Sequence, residues 1–344
     1  MKRTIYFLTA ALLVLATGCC NRKPSDVPLP RNHESGIRTE RFDSVFTGVA
    51  LRATDELHSL MVAKDGKVIY ERWDTGHSPE ELHVCWSASK TFTATAIGFA
   101  VQDGLLSVDD KVIKFFPEEW LPEVHPAELD SLTVEHLLIM SSGLEKDTIG
   151  DINGLHDPQP SRTALNMGFI FFPGTQYKYN SLNTYLLSAI VTRLTGKTVA
   201  DYLQEKLFGP LGIRNYVWDV STEGYSMGGW GLHTTTENLT KMGLFMLQKG
   251  VWNGRRLLDE AWFNKAMTPH IKQHPERDDP NDDWNQGYCY QMWACTHGAV
   301  RLDGAHCQYV IIIPDKDAVV TVTANARSKV QLLNDIWKYI YDEL

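Results

Sequence analysis

Cys85-Trp86-Ser87-Ala88-Ser89-Lys90-Thr91-Phe92-Thr93-Ala94-Thr95-Ala96-Ile97 sets Ser87 and Lys90 in an S-x-x-K relation, at the head of a mostly apolar run that continues to Asp103. The run predicts a buried helix. Residues three apart on a helix share a face, so the hydroxyl and the amine would be neighbours. A serine hydroxyl is a poor nucleophile unless an adjacent base takes its proton. Lysine can be that base only where burial lowers its pKa, and an apolar helix supplies the burial. A helix start also offers Ser87 unpaired backbone N–H groups and the positive dipole end, which suit an oxyanion. The pattern is short, and a serine at a helix start is more often an N-cap. Its company along the chain carries the argument.

Downstream, Pro173-Gly174-Thr175-Gln176-Tyr177-Lys178-Tyr179-Asn180-Ser181 turns into a helical run over Leu182–Leu194. Positive charge near a tyrosine stabilises its phenolate, so Tyr179 is a candidate proton relay. Further on, Arg301-Leu302-Asp303-Gly304-Ala305-His306-Cys307-Gln308-Tyr309 enters a strand expected to end at Pro314. Gly304 and Ala305 leave backbone N–H groups open to close approach, as an oxyanion hole requires.

Around these three stretches, Leu60 to Trp73 forms two β-type runs about Asp65-Gly66, a hairpin signal. From Asp110 to about Tyr225 the patterns are mostly helical, with breaks at Pro117, Pro122, Gly143, Pro173-Gly174 and Pro210. β-Type segments return at Gly287–Trp293 and Gln308–Ala324, the latter about Pro314-Asp315-Lys316-Asp317. Val330, Leu333, Trp337, Ile340 and Leu344 then fall at helical spacing. The hairpin, the later strands and the terminal helix predict one antiparallel sheet flanked by helices, with the helical middle inserted: an α+β layout.

The first eighteen residues read as an export signal, with Lys2 and Arg3, an apolar run from Ile5 to Ala16, and Gly18 before Cys19. The apolar run is shorter than the ~20 residues of a membrane span. Small residues before a cysteine resemble the lipobox of bacterial lipoproteins, which implies acylation of Cys19, export to the periplasm or cell surface and a lipid anchor in the membrane. Residues 19–40, with prolines and charges, are expected to be a tether, and residues 41–344 the catalytic domain. Removing residues 1–18 takes away Lys2 and Arg3 and no acid, leaving 31 basic against 42 acidic residues. With no basic stripe, nucleic acid is not an expected partner.

The ordered set Ser87-x-x-Lys90, Tyr179-x-Ser181 and a glycine-containing strand start resembles the serine hydrolases related to class C β-lactamases and penicillin-binding proteins. That family includes esterases, D-aminopeptidases and 6-aminohexanoate-oligomer hydrolases. The likeness runs from about Leu60 to the C-terminus and takes in Thr133-Val134-Glu135-His136-Leu137-Leu138, Ser141-Ser142-Gly143-Leu144 and Gly228-Gly229-Trp230-Gly231-Leu232. It implies the β-lactamase/transpeptidase-like fold and a Ser87 acyl-enzyme formed on a small-molecule or peptide ester or amide, with no metal or organic cofactor. Lys90 and Tyr179 would share proton transfer, and the N–H groups of Ser87 and Ala305 would hold the oxyanion. Ser181 and His306 would line the pocket. Alternatives are a peptidase acting on D-amino-acid or cell-wall peptides, or a penicillin-binding sensor without turnover.

Two departures stand out. Where the β-lactamases carry Lys-Thr-Gly to receive a carboxylate, this chain has Asp303-Gly304-Ala305-His306, and like charge would oppose a carboxylate there. Cys307 stands where relatives with this variant strand carry glycine. Gly224-Tyr225-Ser226-Met227-Gly228 matches a nucleophile elbow, but a glycine-rich loop follows it in place of a helix, so Ser226 is rejected. His270 and His274 lack the H-E-x-x-H pattern, and Asp278 to Asp283 lacks an EF-hand's glycine and distal glutamate. If an exported protein forms disulfides, Cys295 with Cys307 and Cys85 with Cys307 are the open possibilities. Cys289 and Cys295 on one strand would lie about 20 Å apart, too far to bridge.

Overall fold

In the computed structural model, residues 25–52, 54–148, 156–277 and 279–344 are described. The stretch read as an export signal, with Cys19, Cys20 and Asp278, lies outside them.

The main sheet has six antiparallel strands: β1 (Glu56–Lys64), β2 (Lys67–Trp73), β3 (Trp293–Ala294), β4 (Val300–Gly304), β5 (Gln308–Ile313) and β6 (Ala318–Asn325). Their spatial order is β2-β1-β6-β5-β4-β3, so the N-terminal hairpin is zipped to the C-terminal strands. Asp65 and Gly66 both take positive φ, as a two-residue turn between right-twisted strands demands. On β5, Tyr309, Ile311 and Ile313 face one apolar cluster while Val310 and Ile312 face another. Both faces are covered, which is why its apolar run is unbroken. Helices Asp43–Ala50 and Lys329–Tyr339 cover the first face with Val45, Phe46, Leu332, Leu333 and Ile336. Helices Ser89–Gln102 and Thr236–Leu247 belong to the second. Gly243 lets that last helix lie close to the sheet, since a Cβ there would come within 2.6 Å of Val319 and 2.8 Å of Val310.

The sequence expectations differ from this fold in four places. Gly287–Trp293 is not a strand: Tyr288 makes isolated bridges to Ile271 and Trp293, and only Trp293–Ala294 joins the sheet. Its glycine and aromatic residues serve packing instead. Residues 301–313 are two strands, β4 and β5, joined by a turn in which His306 and Cys307 both have positive φ. Cys85, Cys289, Cys295 and Cys307 are all buried free thiols. The fourth difference is the tether. From Asp26 onward it is docked: Asp26 Oδ1 accepts from the backbone of Arg214 and Asn215, Val27 N–H donates to Gly212 O at 2.9 Å, and Arg31 pairs with Glu71 and Glu237. Buried Leu29 gives that docking an apolar anchor.

A register shift in β1 between Leu57 and Ser59 makes a bulge at His58. Its ring stacks 4.0 Å from that of His77 and 5.4 Å from that of His83. Glu81 Oε2 lies 2.8 Å from His77 Nδ1 and 3.9 Å from His83 Nε2. His83 begins the short strand His83–Val84, which pairs with Leu232–Thr234 and leads directly to the Ser87 turn. Burial pushes the His83 imidazole down to about 4 against the pull of Glu81, and burial with neighbouring His77 lowers His58. The His83 ring therefore stays neutral in the folded chain while the unfolded chain protonates near 6.5, so stability falls as pH drops from about 6.5 toward 4, and the lowered His58 acts in the same direction. The expected loss on going from pH 7.5 to 5 is on the order of 2 kcal/mol, read by urea unfolding, and His83→Gln should flatten it. Unchanged wild-type stability across that window would contradict the assignment.

Candidate active site

Ser87 lies in a single 3-10 turn, Trp86–Ala88, that runs into the helix Ser89–Gln102, so Ser87 and Lys90 sit on consecutive elements where the sequence predicts one helix. Trp86 is held at φ 48°, a left-handed conformation costing roughly 1–3 kcal/mol for a residue with a side chain. Packing over-determines it. Cys85 N–H donates to Leu232 O at 2.8 Å, and β4 abuts from the other side. A Cβ on Gly304 would lie 2.3 Å from the carbonyl oxygen of Cys85, so only glycine lets this strand reach the turn. Ser87 itself is half-buried and open to a substrate.

Lys90 is 1% exposed. Its Nζ donates to Gly229 O at 2.6 Å and lies 3.3 Å from Ser181 Oγ and 3.5 Å from Ser87 Oγ. Burial pulls its pKa down to about 7, with Asp147 drawing it back upward. The tight fit needs a glycine: a Cβ on Gly229 would sit 3.1 Å from Nζ. Tyr179 shares a side-chain hydrogen bond with Ser87, and its ring centroid is 5.1 Å from Lys90 Nζ. Burial raises Tyr179 above the usual phenol range, outweighing the hydrogen bond from Ser87, so it is a neutral phenol. Lys178 turns away to the carbonyl of Glu145. Ser87, Lys90, Tyr179 and Ser181 thus converge, as the sequence motifs anticipate.

The turn after β4 adds Gly304, Ala305 and His306. Gln308 Nε2 donates to the carbonyls of Ala305 and His306 at 3.3 and 3.2 Å, which fixes the turn. His306 is exposed, with its ring 5.5 Å from that of Trp86. Asp303 departs from expectation. Its Oδ2 is 2.9 Å from Arg301 Nε, and both side chains are buried. A carboxylate already met by a guanidinium offers no unpaired charge to repel a substrate anion, so the like-charge argument loses its premise.

Asp147 is the residue that motif reading missed. Its Oδ2 accepts from the backbone N–H of Ser181 at 2.7 Å, on the first turn of the helix Ser181–Thr195. No spacing in the sequence relates these two positions. They meet because residues 140–147 run beside 174–181, with Lys178 N–H bonded to Met140 O and Asn180 Nδ2 to Lys146 O. Ser226 is fully buried, and its Oγ accepts from Ala200 N–H at 3.2 Å, so it presents no nucleophile. His270 stacks on Tyr290 while His274 faces Glu276.

Residues 47–343 match the family model described as Beta-lactamase. The chain is 23% identical over 282 residues to the 6-aminohexanoate-dimer hydrolase of Paenarthrobacter ureafaciens, covering 76% of this chain and 71% of that protein. Among solved structures it resembles EstCE1, a hydrolase with promiscuous acyltransferase activity, with a TM-score of 0.69 and 15% identity over 87% of this chain and 98% of that one. It also resembles a D-stereospecific amidohydrolase from Streptomyces, with a TM-score of 0.66 and 16% identity, again over 87% and 98%. At those identities the solved structures speak for the fold.

A lysine near 7 that must be neutral to accept a proton gives a rate that rises through neutrality. Asp147 favours the charged form, so its removal should make Lys90 a weaker base that is neutral at lower pH. Asp147→Asn, which keeps an oxygen for Ser181 N–H, is expected to move the acid limb of kcat/KM downward by up to about one pH unit. A limb that stays put or moves upward would contradict this placement of charge.

Proposed function

The chain belongs to the beta-lactamase family of serine hydrolases, and from that premise we propose that it cleaves an ester or amide through an acyl-enzyme on Ser87. The observation that carries this reading is the Lys90 amine, stripped of water and 3.5 Å from the Ser87 hydroxyl. In its neutral form Lys90 takes the Ser87 proton while Oγ forms a bond to the substrate carbonyl carbon. Negative charge on the carbonyl oxygen is received by the backbone N–H groups of Ser87 and Ala305. The tetrahedral adduct collapses, the bond to the leaving alcohol or amine breaks, and that group takes the proton from Lys90 through the neutral phenol of Tyr179. Water then attacks the acyl-serine carbonyl and gives its proton to the same pair; the bond to Ser87 Oγ breaks, Oγ takes that proton back, and the acid is freed. Ser181 Oγ, 3.3 Å from Nζ, and His306 at the rim orient substrate.

The same proposal extends to location. An acylated Cys19 would leave seven residues before the docked Asp26, so the body would ride within about 25 Å of the membrane surface. Two or more acyl chains make such an anchor stable. Intact mass of the protein from its native host is expected to show a mature chain starting at Cys19 with acyl groups attached. An unacylated terminus would end this part of the proposal.

Loss of an attacking serine leaves only binding and oxyanion stabilisation, a fall of several orders of magnitude. Ser87→Ala should therefore abolish ester hydrolysis and labelling by a fluorophosphonate, while Ser226→Ala keeps the label. The reverse pattern would overturn the mechanism, and labelling of Ser87 without turnover of any ester or amide would instead favour a sensor.

A further inference from the structure

Tyr179, whose hydroxyl the mechanism uses, borders further aromatic rings that it does not. Its ring stacks on Trp293 at 6.1 Å and 24°, and Trp293 meets Trp284 at 5.4 Å. Tyr177 stands 6.1 Å from Trp293 and 5.3 Å from Tyr288. Tyr288 is buried and serves as the backing, but Tyr177, Tyr179, Trp284 and Trp293 are each only half-buried. A single exposed tryptophan needs no explanation; four contiguous partly open aromatics beginning at the nucleophile's own partner do.

The charges beneath the rings say what this surface would take. The buried Arg301 guanidinium lies 4.4 Å from the Trp284 centroid and 5.4 Å from that of Trp293, and Asp303 pairs with it. Lys329 Nζ is 5.7 Å from the Trp284 ring, and Lys90 Nζ is 5.1 Å from Tyr179. The Arg301 guanidinium already engages the negative faces of Trp284 and Trp293, so a further cation finds those faces taken and gains little. Another ring gains from offset or edge-to-face contact with these same rings.

We infer that Tyr177, Tyr179, Trp284 and Trp293 form the subsite for a flat, uncharged aromatic group lying beside the scissile bond. The inference rests on Ser87 being the nucleophile. It selects aryl or arylalkyl esters and amides over substrates bearing a free ammonium at that position.

Two matched pairs test it: ethyl phenylacetate against ethyl cyclohexylacetate, and benzyl acetate against cyclohexylmethyl acetate. Each kcat/KM is divided by the ester's rate constant with hydroxide, which removes intrinsic reactivity. In at least one pair the aromatic member should be favoured about two- to tenfold. Trp293→Leu should bring that ratio close to one. Because Trp293 packs on Arg301 and its loss could impair folding, binding of phenylacetamide and cyclohexylacetamide to Ser87→Ala is measured as well, by tryptophan fluorescence. A phenyl preference there, combined with no hydrolysis of any ester by the wild type, would sink the hydrolase reading while supporting the subsite. Hydrolysis with normalised ratios near one in both pairs, and equal binding of the two amides, would overturn the subsite and spare the hydrolase.

Discussion

Removing the Lys90 amine from water is the constraint on which the site depends. Its neighbours, Gly229 O, Ser181 Oγ and Ser87 Oγ, are neutral acceptors, and Asp147 supplies the opposing charge. Neutral dipoles solvate an ammonium less well than water does, so the proton is held weakly and lysine becomes a base at physiological pH. Holding a displacement from 10.5 to about 7 costs on the order of a few kcal/mol wherever the group is charged. The surrounding packing must supply that. The helix Ser89–Gln102 does so by being buried almost throughout, from Ser89 to Ala100.

The second requirement is positional. A left-handed Trp86 aims the residue after it, and Gly304 lets a strand from the far end of the chain press against that turn. Ser87 is thus clamped between the small sheet, through Cys85 and Leu232, and strand β4 of the main sheet. His83, one member of the histidine stack, begins the short strand of that small sheet, and Cys85 Sγ donates to His83 O at 3.6 Å. Acid that disturbs that stack acts on the segment that positions Ser87. The oxyanion turn is braced separately, by Gln308 and by Ala326 N–H on His306 O.

Much of this was legible in the sequence because the chemistry fixes residue types at short spacing. S-x-x-K reports a contact within one helical turn and Asp65-Gly66 a local turn, while Tyr-x-Ser and the glycine after Asp303 are legible as residue types and not through the distant partners they meet. What could not be read depends on contacts between distant segments. Asp147 reaches Ser181 only because two loops run side by side. The Arg301 that pairs with Asp303 lies two residues away in the quoted motif, yet its burial under two tryptophans depends on Trp284 and Trp293 from another segment. Gly287–Trp293 has strand composition without strand pairing, since its backbone turns to bond Ile271 and Met292 instead. The docking of residues 26–31 escaped notice because prolines and charges also compose flexible linkers.

The central claim is that Lys90 rests near neutrality as a free amine poised against Ser87. Nitrogen-15 NMR of the lysine side chains, with Lys90→Met to assign the resonance, reads its protonation directly. The account predicts a titration midpoint near 7. A midpoint near the ordinary lysine value of 10.5 would mean that Lys90 is a permanent cation at working pH, and the proton would have to leave Ser87 by another route.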